Sequence, residues 1–320
     1  GNGVKVLGVT LDPLMTFARH AKDIGARVSQ RLNIIKSLAG TSWGCTKEVL
    51  LATYKSICRS VLSYAAPVWS PGLSDSRWRD LQVRQNTAIR LATGTHQMTA
   101  EAHLHHEAKM LPVKDHNYML SAQFLLGAHQ PSRPDHRTTA PPVAGARSIR
   151  ETLRSKFLGR VVAAVPSAAQ GVVTEDVYKN GIRQIHRLAA RGAAASYRLP
   201  VWAAGSSASP VAVVSSEERR LVRETRSALA QLRSGYSVRL NSYLSRIDAS
   251  VVDECPDCGE AGHTTAHLFN CPARPTSLGP EALWESPIEA ATFLGLDDRL
   301  LGLAEEEDEG GGDEDPEDLD

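Results

Sequence analysis

The feature that most constrains this chain is a short run of metal-ligand residues, Cys255-Pro-Asp-Cys258 followed by His263, His267 and Cys271. With His267 as the third member, the spacing is C-x2-C-x8-H-x3-C. Four thiolate and imidazole donors suit a tetrahedral zinc ion. The C-x2-C half presents two sulfurs from one tight turn, which Pro256 and Gly259 help to form. His267 and Cys271 lie four apart, so one helical turn places both on the same side. His263 competes for the third corner. It fits a knuckle spacing after Cys258, but Cys271 then arrives three residues later than in C-x2-C-x4-H-x4-C. The expected ligands are therefore Cys255, Cys258, His267 and Cys271. With all four corners filled by protein, no position is left for a reactive water, so the expected Zn2+ is structural. It would supply most of the folding energy of a unit of ~20 residues, too small to hold a core alone. The other cysteines are Cys45 and Cys58. No secretory signal is read at the first residues, which favours metal over a disulfide framework.

Charge is the second constraint. The net charge is zero, but the first 250 residues hold 34 Lys/Arg against 16 Asp/Glu, while the last 70 hold 2 against 20. Residues 305–320 hold 11 acids and no base. A basic body suits a polyanionic partner, because phosphate contacts release counterions. No run of eighteen apolar residues is present, so no membrane span is expected.

Periodicity reads as mostly α, in four regions. Residues 1–127 open with a strand at Val4–Val9 and an Asp12-Pro13 turn. Helices over 15–38, 46–65, 74–93, 99–110 and 113–127 follow. The first carries Arg19, Lys22, Arg27, Arg31 and Lys36 on its outer face. Residues 128–214 form a Pro- and Ala-rich linker with loosely packed helices near 148–164 and 174–192. Residues 215–296 begin with a Ser215/Glu218 capping box. One helix over 216–234 has Leu221, Ala228, Leu229 and Leu232 on one face, and Arg219, Arg220, Arg223, Arg226 and Arg233 on the rest. A short helix over 238–247 leads into the zinc unit. Residues 297–320 are an acidic tail with the composition of disorder. The two arginine- and lysine-bearing helices are the expected nucleic-acid contacts.

Other clusters read blandly. Of His96, His103, His105, His106 and His116, His103 and His106 would share a helical face, which makes a metal conceivable. No Cys is nearby, however, and Glu101, Glu107 and Asp115 have no recognisable ligand spacing, so the five read as helix-surface histidines. Trp43, Trp69, Trp78 and Tyr54 could stack on bases, but at helical spacing beside Leu and Val they read as core. A polymerase centre needs paired aspartates to hold two metals. No Asp-Asp pair appears before Asp297-Asp298, which borders the acidic run. No phosphate-binding G-x-x-x-x-G-K-S/T, G-x-S-x-G or H-E-x-x-H appears.

Several segments, in order, carry a family likeness. Val6-Leu7-Gly8-Val9-Thr10-Leu11-Asp12 resembles the strand that closes the palm of non-long-terminal-repeat retrotransposon reverse transcriptases of the jockey-like kind. Leu38-Ala39-Gly40-Thr41-Ser42-Trp43-Gly44 is similar to the segment that follows. So are Tyr54-Lys55-Ser56 with Ser60 through Trp69, His103-Leu104-His105 with Leu111-Pro112-Val113-Lys114, and Gln231 through Gly235 with Leu240-Asn241-Ser242-Tyr243. His267 through Pro272 and Trp284 with Phe293-Leu294-Gly295-Leu296 resemble the end of the pattern. The resemblance implies a thumb-like bundle behind an upstream polymerase palm. The catalytic aspartates and their Mg2+ would lie in that palm, and this segment would be inactive alone. The implied partners are element RNA, primer or target DNA in target-primed reverse transcription, and the upstream polymerase region of the same polyprotein. The implied location is a ribonucleoprotein in nucleus and cytoplasm, not a secreted protein. The competing reading is a stand-alone zinc-containing interaction protein.

Overall fold

In a computed structural model of the chain, residues 3–40, 43–130, 149–170, 173–196 and 214–296 are described. The acidic tail and most of the two Pro/Ala-rich stretches lie outside them. The described chain is mostly helical, with one two-stranded sheet.

The opening segment is a hairpin rather than a single strand. β1 (Val4–Val6) pairs antiparallel with β2 (Val9–Leu11), with Val6 opposite Val9. Leu7 and Gly8 make the two-residue turn with φ of 45° and 86°. Positive φ at both central residues matches strand twist, and Gly8 takes it without strain. Asp12 then organises the entry to α1 (Ala18–Leu38). Its carboxylate accepts from the backbone N–H groups of Thr16 at 3.0 Å and Phe17 at 2.7 Å.

α2 (Lys47–Tyr54) runs through a π-turn (Lys55–Arg59) into α3 (Ser60–Ser63), and α4 (Ala66–Trp69) follows. Thr46 caps α2 by accepting from the Val49 N–H. α5 (Asp75–Thr93), α6 (Glu101–Ala108) and α7 (Val113–Gly127) complete the first set. Ile24, Val28, Ile35, Leu50, Tyr54, Leu62, Trp69, Leu81 and Ile89 are fully or almost fully buried among them. Trp69 packs on Trp78, confirming both as core, whereas Trp43 is 63 % exposed.

Residues expected to be loosely packed join this same core. α8 (Ile149–Ala164) and α9 (Glu175–Ser196) lie against α7, and Leu153, Phe157, Val161 and Ile185 are buried in one cluster continuous with Val9 and Trp69. Composition suggests a linker because small residues dominate. Leu153, Phe157 and Val161, at four-residue steps on α8, with Ile185 on α9, are enough to dock both helices.

A second core holds Leu221, Leu229, Leu232, Leu240, Phe269, Leu283 and Trp284. Its elements are a 3₁₀ turn (Ser216–Arg220), α10 (Arg223–Ser234), α11 (Asn241–Leu244), α12 (Thr265–Asn270), α13 (Ala282–Glu285) and α14 (Pro287–Phe293). The single helix expected over 216–234 is thus split at Leu221-Val222. Ser215 accepts from the Glu217 N–H, while the Glu218 side chain turns inward instead of closing a capping box. The two cores meet where α10 crosses the end of α5. There Gly94 ends α5 with φ of 72°, and a Cβ on it would run into Ser227. Among the described residues, no helix is long and apolar enough to cross a membrane.

Candidate metal centre and the arginine cluster behind it

The metal-ligand run folds as a turn followed by a helix. Glu254 bridges to Ala261, and the Cys255 N–H donates to Glu260 O at 2.8 Å. The Gly259 N–H returns to Cys255 O at 2.8 Å, with φ of 74° at Gly259. This tight loop presents Cys255 and Cys258 side by side. Thr264 caps α12 by accepting from the His267 N–H, which starts the turn carrying His267; Cys271 sits at its end.

The Sγ atoms of Cys255, Cys258 and Cys271 and one ring nitrogen of His267 all lie within 4.8 Å of one another. Cys255 and Cys271 sulfurs are 3.8 Å apart, and Cys258 Sγ is 3.3 Å from His267 Nε2. Zn–S and Zn–N bonds of ordinary length give tetrahedral edges of about 3.8 Å and about 3.6 Å. The donor set and its spacing therefore fit a tetrahedral thiophilic ion such as zinc. Cys255 and Cys271 are buried; Cys258 and His267 are half-buried.

His263 has a different task. It is buried, its Nδ1 accepts from the Asn241 N–H at 3.0 Å, and its own N–H donates to Asp253 Oδ1 at 2.9 Å. It ties the start of α11 to the metal loop. A Cys258→Ser variant is expected to lose bound metal, while His263→Ala keeps it and instead loses stability, by ~1–3 kcal/mol for the orphaned Asn241 N–H. Metal content of the two purified variants checks this, and the opposite pattern would move the ligand role to His263.

The outside of the metal loop is acidic. Glu254, Asp257 and Glu260 are exposed, and Arg274 pairs with Asp257 at 3.7 Å. Inward, the unit is fastened to the second core: Thr265 Oγ1 donates to Leu232 O at 3.0 Å, and Phe269 packs on Phe293.

The arginines of α10 do not form the solvent-facing surface that the sequence suggests. Arg233 is fully buried; its Nη1 meets Glu107 at 2.9 Å, its Nη2 meets Glu218 at 2.6 Å, and its Nε donates to Leu283 O at 2.8 Å. Arg226, 5 % exposed, grips Glu48 with both terminal nitrogens, at 2.9 and 2.5 Å, and reaches Glu218 at 3.3 Å. Lys47 closes the set at 2.9 Å from Glu107. Arg223 donates to the carbonyls of Gly40, Cys45, Leu91 and Ala92. These carbonyls lie around the ends of α1 and α5, where the helix dipole favours a cation. The reason for the difference is that α10 is covered on both sides, so its polar stripe is an internal joint.

Electrostatics bears this out. Burial alone would raise the pKa of Glu107, but the Arg233 and Lys47 charges outweigh it and hold the carboxyl below its ordinary range. Glu218 moves the same way against the same burial penalty. Burial opposes ionisation of Glu48 as well, yet the Arg226 hydrogen bonds bring it down to about 2.

Of the nucleic-acid-facing residues expected from the sequence, Arg19, Lys22, Arg27 and Lys36 face solvent along α1. Arg219 and Arg220 are exposed on the 3₁₀ turn. Arg31 is half-buried and donates to Ile57 O. The histidines read as surface groups are largely interior. His103 and His105 are buried, and His105 lies 2.8 Å from Gln82 Nε2 and 3.0 Å from Met110 O. Desolvation brings both down to about 4 and His116 to about 3.

A stretch of 115 residues is 31 % identical to the probable RNA-directed DNA polymerase from transposon X-element of Drosophila melanogaster. The stretch is 36 % of this chain, and the chain spans 12 % of the length of that curated relative. That region is thus related to a retrotransposon RNA-directed DNA polymerase. No protein-family model and no solved structure matches the chain.

Proposed function

We propose that this chain is a non-catalytic, nucleic-acid-holding region of a jockey-like retrotransposon RNA-directed DNA polymerase. The similarity to the X-element polymerase carries the reading. In it, the bundle of α1 to α7 acts as a thumb behind an upstream palm of the same polyprotein, and the chain holds template RNA, primer or target DNA during target-primed reverse transcription. Mg2+ belongs to that palm, and the working location is a ribonucleoprotein of nucleus and cytoplasm. The zinc held by Cys255, Cys258, His267 and Cys271 is structural. The acidic rim of the metal loop repels phosphate, so zinc fixes the α10 joint, and the phosphate-facing role falls to Arg19, Lys22, Arg27 and Lys36, with Arg219 and Arg220. Such contacts position a nucleic acid and read little of its sequence.

The test is binding of a single-stranded RNA across a salt series. Replacing Arg19, Lys22, Arg27 and Lys36 together by Ala is expected to reduce the log Kd against log salt slope by roughly three units, at ~0.7 for each phosphate no longer neutralised. These side chains are exposed, so folding should be unaffected. An unchanged slope would remove α1 from the interface, and salt-independent binding would favour a stand-alone zinc-containing interaction protein.

A further inference from the structure

Trp69, Trp78 and Trp284 are buried, but Trp43, in the connection between α1 and α2, is 63 % exposed and belongs to neither core. It is nonetheless held in place. Ala39 bridges to Gly44, the Gly40 N–H donates to Trp43 O at 3.0 Å, and the Cys45 N–H donates to Leu38 O at 3.0 Å. Gly44 has a φ of 107°, which a glycine adopts without strain. Arg223 clamps the same connection from α10, through Gly40 O at 2.7 Å and Cys45 O at 3.2 Å. The indole itself lies on Gly40: a Cβ there would collide with its Nε1, Cε2 and Cδ1 atoms. A large apolar ring is thus fixed where water reaches it and where it adds nothing to the packing of either core.

The charge that leads up to this ring has one sign. Between Asp23 and Glu48 the sequence holds Arg27, Arg31, Lys36 and Lys47 and no acid. Lys36 is exposed in the last turn of α1, and its carbonyl accepts from the Ala39 N–H at 3.4 Å, directly before Gly40. The connection that carries Trp43 therefore begins where the exposed stripe of α1 ends. Glu48, on the far side, is taken up by Arg226. The α10 side is mixed, with Arg219 and Arg220 exposed alongside Glu217 and Glu224. An exposed aromatic ring suits the face of a base, and a run of cations leading to it suits the phosphates of the same strand. We propose that Trp43 is a stacking platform for one base of a single-stranded nucleic acid whose phosphates follow α1. The proposal rests on the nucleic-acid reading and adds to it a group that touches a base. Such a contact is tolerant of sequence, because every base has a π-face. A ring already fixed by its surroundings also loses little freedom on binding.

The experiment uses the full chain and two fluorescent strands of about twelve nucleotides, a usual length for a single-strand site. One is oligothymidylate; the other has the same sugar–phosphate chain with abasic positions throughout. Stacking is worth roughly fivefold in affinity or more, so the parent chain should bind oligothymidylate at least that much tighter than the abasic strand. Trp43→Ala should weaken oligothymidylate to near the abasic level and leave the abasic strand unchanged. The salt dependence should stay the same, because no charge is lost. Trp43→Phe should keep most of the difference between the strands. Gly40→Ala retains the indole but pushes it aside, and should weaken oligothymidylate alone. Because Trp43 lies outside both cores, urea unfolding of Trp43→Ala should match the parent. If Trp43→Ala binds both strands as the parent does, the proposal is overturned and the ring is left for a protein partner. Equal weakening of both strands, or equal binding of both by the parent, overturns the stacking platform and leaves the nucleic-acid reading intact. Binding of neither strand by the parent overturns both.

Discussion

Replacing Arg233 by Met is expected to cost about 3–5 kcal/mol of stability, the penalty for breaking a buried ion pair from one side. The guanidinium is fully buried and joins Glu107 of α6, Glu218 of the 3₁₀ turn and the Leu283 carbonyl before α14. Methionine matches much of its length and none of its charge. Glu107 would keep Lys47, and Glu218 would keep Arg226, but Glu218 would lose its closest cation and Glu107 one of its two at 2.9 Å, both carboxylates being almost fully buried. The first and second cores would therefore separate at lower denaturant than in the parent chain. Arg220→Met supplies the control, because Arg220 is exposed and its loss should fall within about 0.5 kcal/mol. Adding Glu107→Gln to Arg233→Met should restore part of the loss, since it removes one of the stranded charges. Urea unfolding followed by tryptophan fluorescence reads all three variants. Equal midpoints for Arg233→Met and Arg220→Met would show that the cluster does not hold the two cores together.

What the sequence makes legible follows from the range of the interactions concerned. The spacing predicts α7 over residues 113–127, and the helix has those bounds, because Pro112 starts it and its apolar pattern is local. The metal ligands are legible for the same reason: four residues within seventeen positions have to converge through one turn and one short helix. The arginine joint is not, since Glu48 and Glu107 come from elements 126 to 178 residues away. A local signal does exist. Arg226, Leu229, Ala230 and Arg233 stand at i, i+3, i+4 and i+7, the spacing of a buried stripe. Two arginines on that stripe announce buried partners rather than a phosphate surface. The hairpin is hidden because Leu7-Gly8 lacks the Asn-Gly or Asp-Gly pair that marks such turns. The interior positions of His103 and His105 are hidden because a polar run such as His-Leu-His-His-Glu looks solvated until α5 covers it with Gln82 and Gln85.

Removal of the metal is expected to unfold the loop and short helix of residues 253–275 and to loosen α10 behind them. Structural zinc contributes ~10–16 kcal/mol of apparent binding free energy at neutral pH in units of this kind. The metal loop has few other supports: its rim is exposed and acidic, and without the ion three thiols and an imidazole face one another across less than 5 Å. The second core keeps Leu221, Leu229, Leu283 and Trp284, none of which touches the metal ligands in sequence, so it should survive in part. The link between the two is specific. Thr265 donates to the Leu232 carbonyl, one residue before Arg233, so disorder in α12 releases the end of α10 that carries the arginine joint. Hydrogen exchange with and without a strong chelator separates these effects. Residues 253–275 should lose nearly all protection, and residues 226–236 should lose part of it. α1 and α5, anchored in the first core, should keep theirs. Restoring zinc should restore the pattern, and magnesium should not, because thiolate and imidazole ligands select a softer ion. Exchange that ignores the chelator throughout would mean that the four side chains converge without a metal and that the loop stands on hydrogen bonds alone.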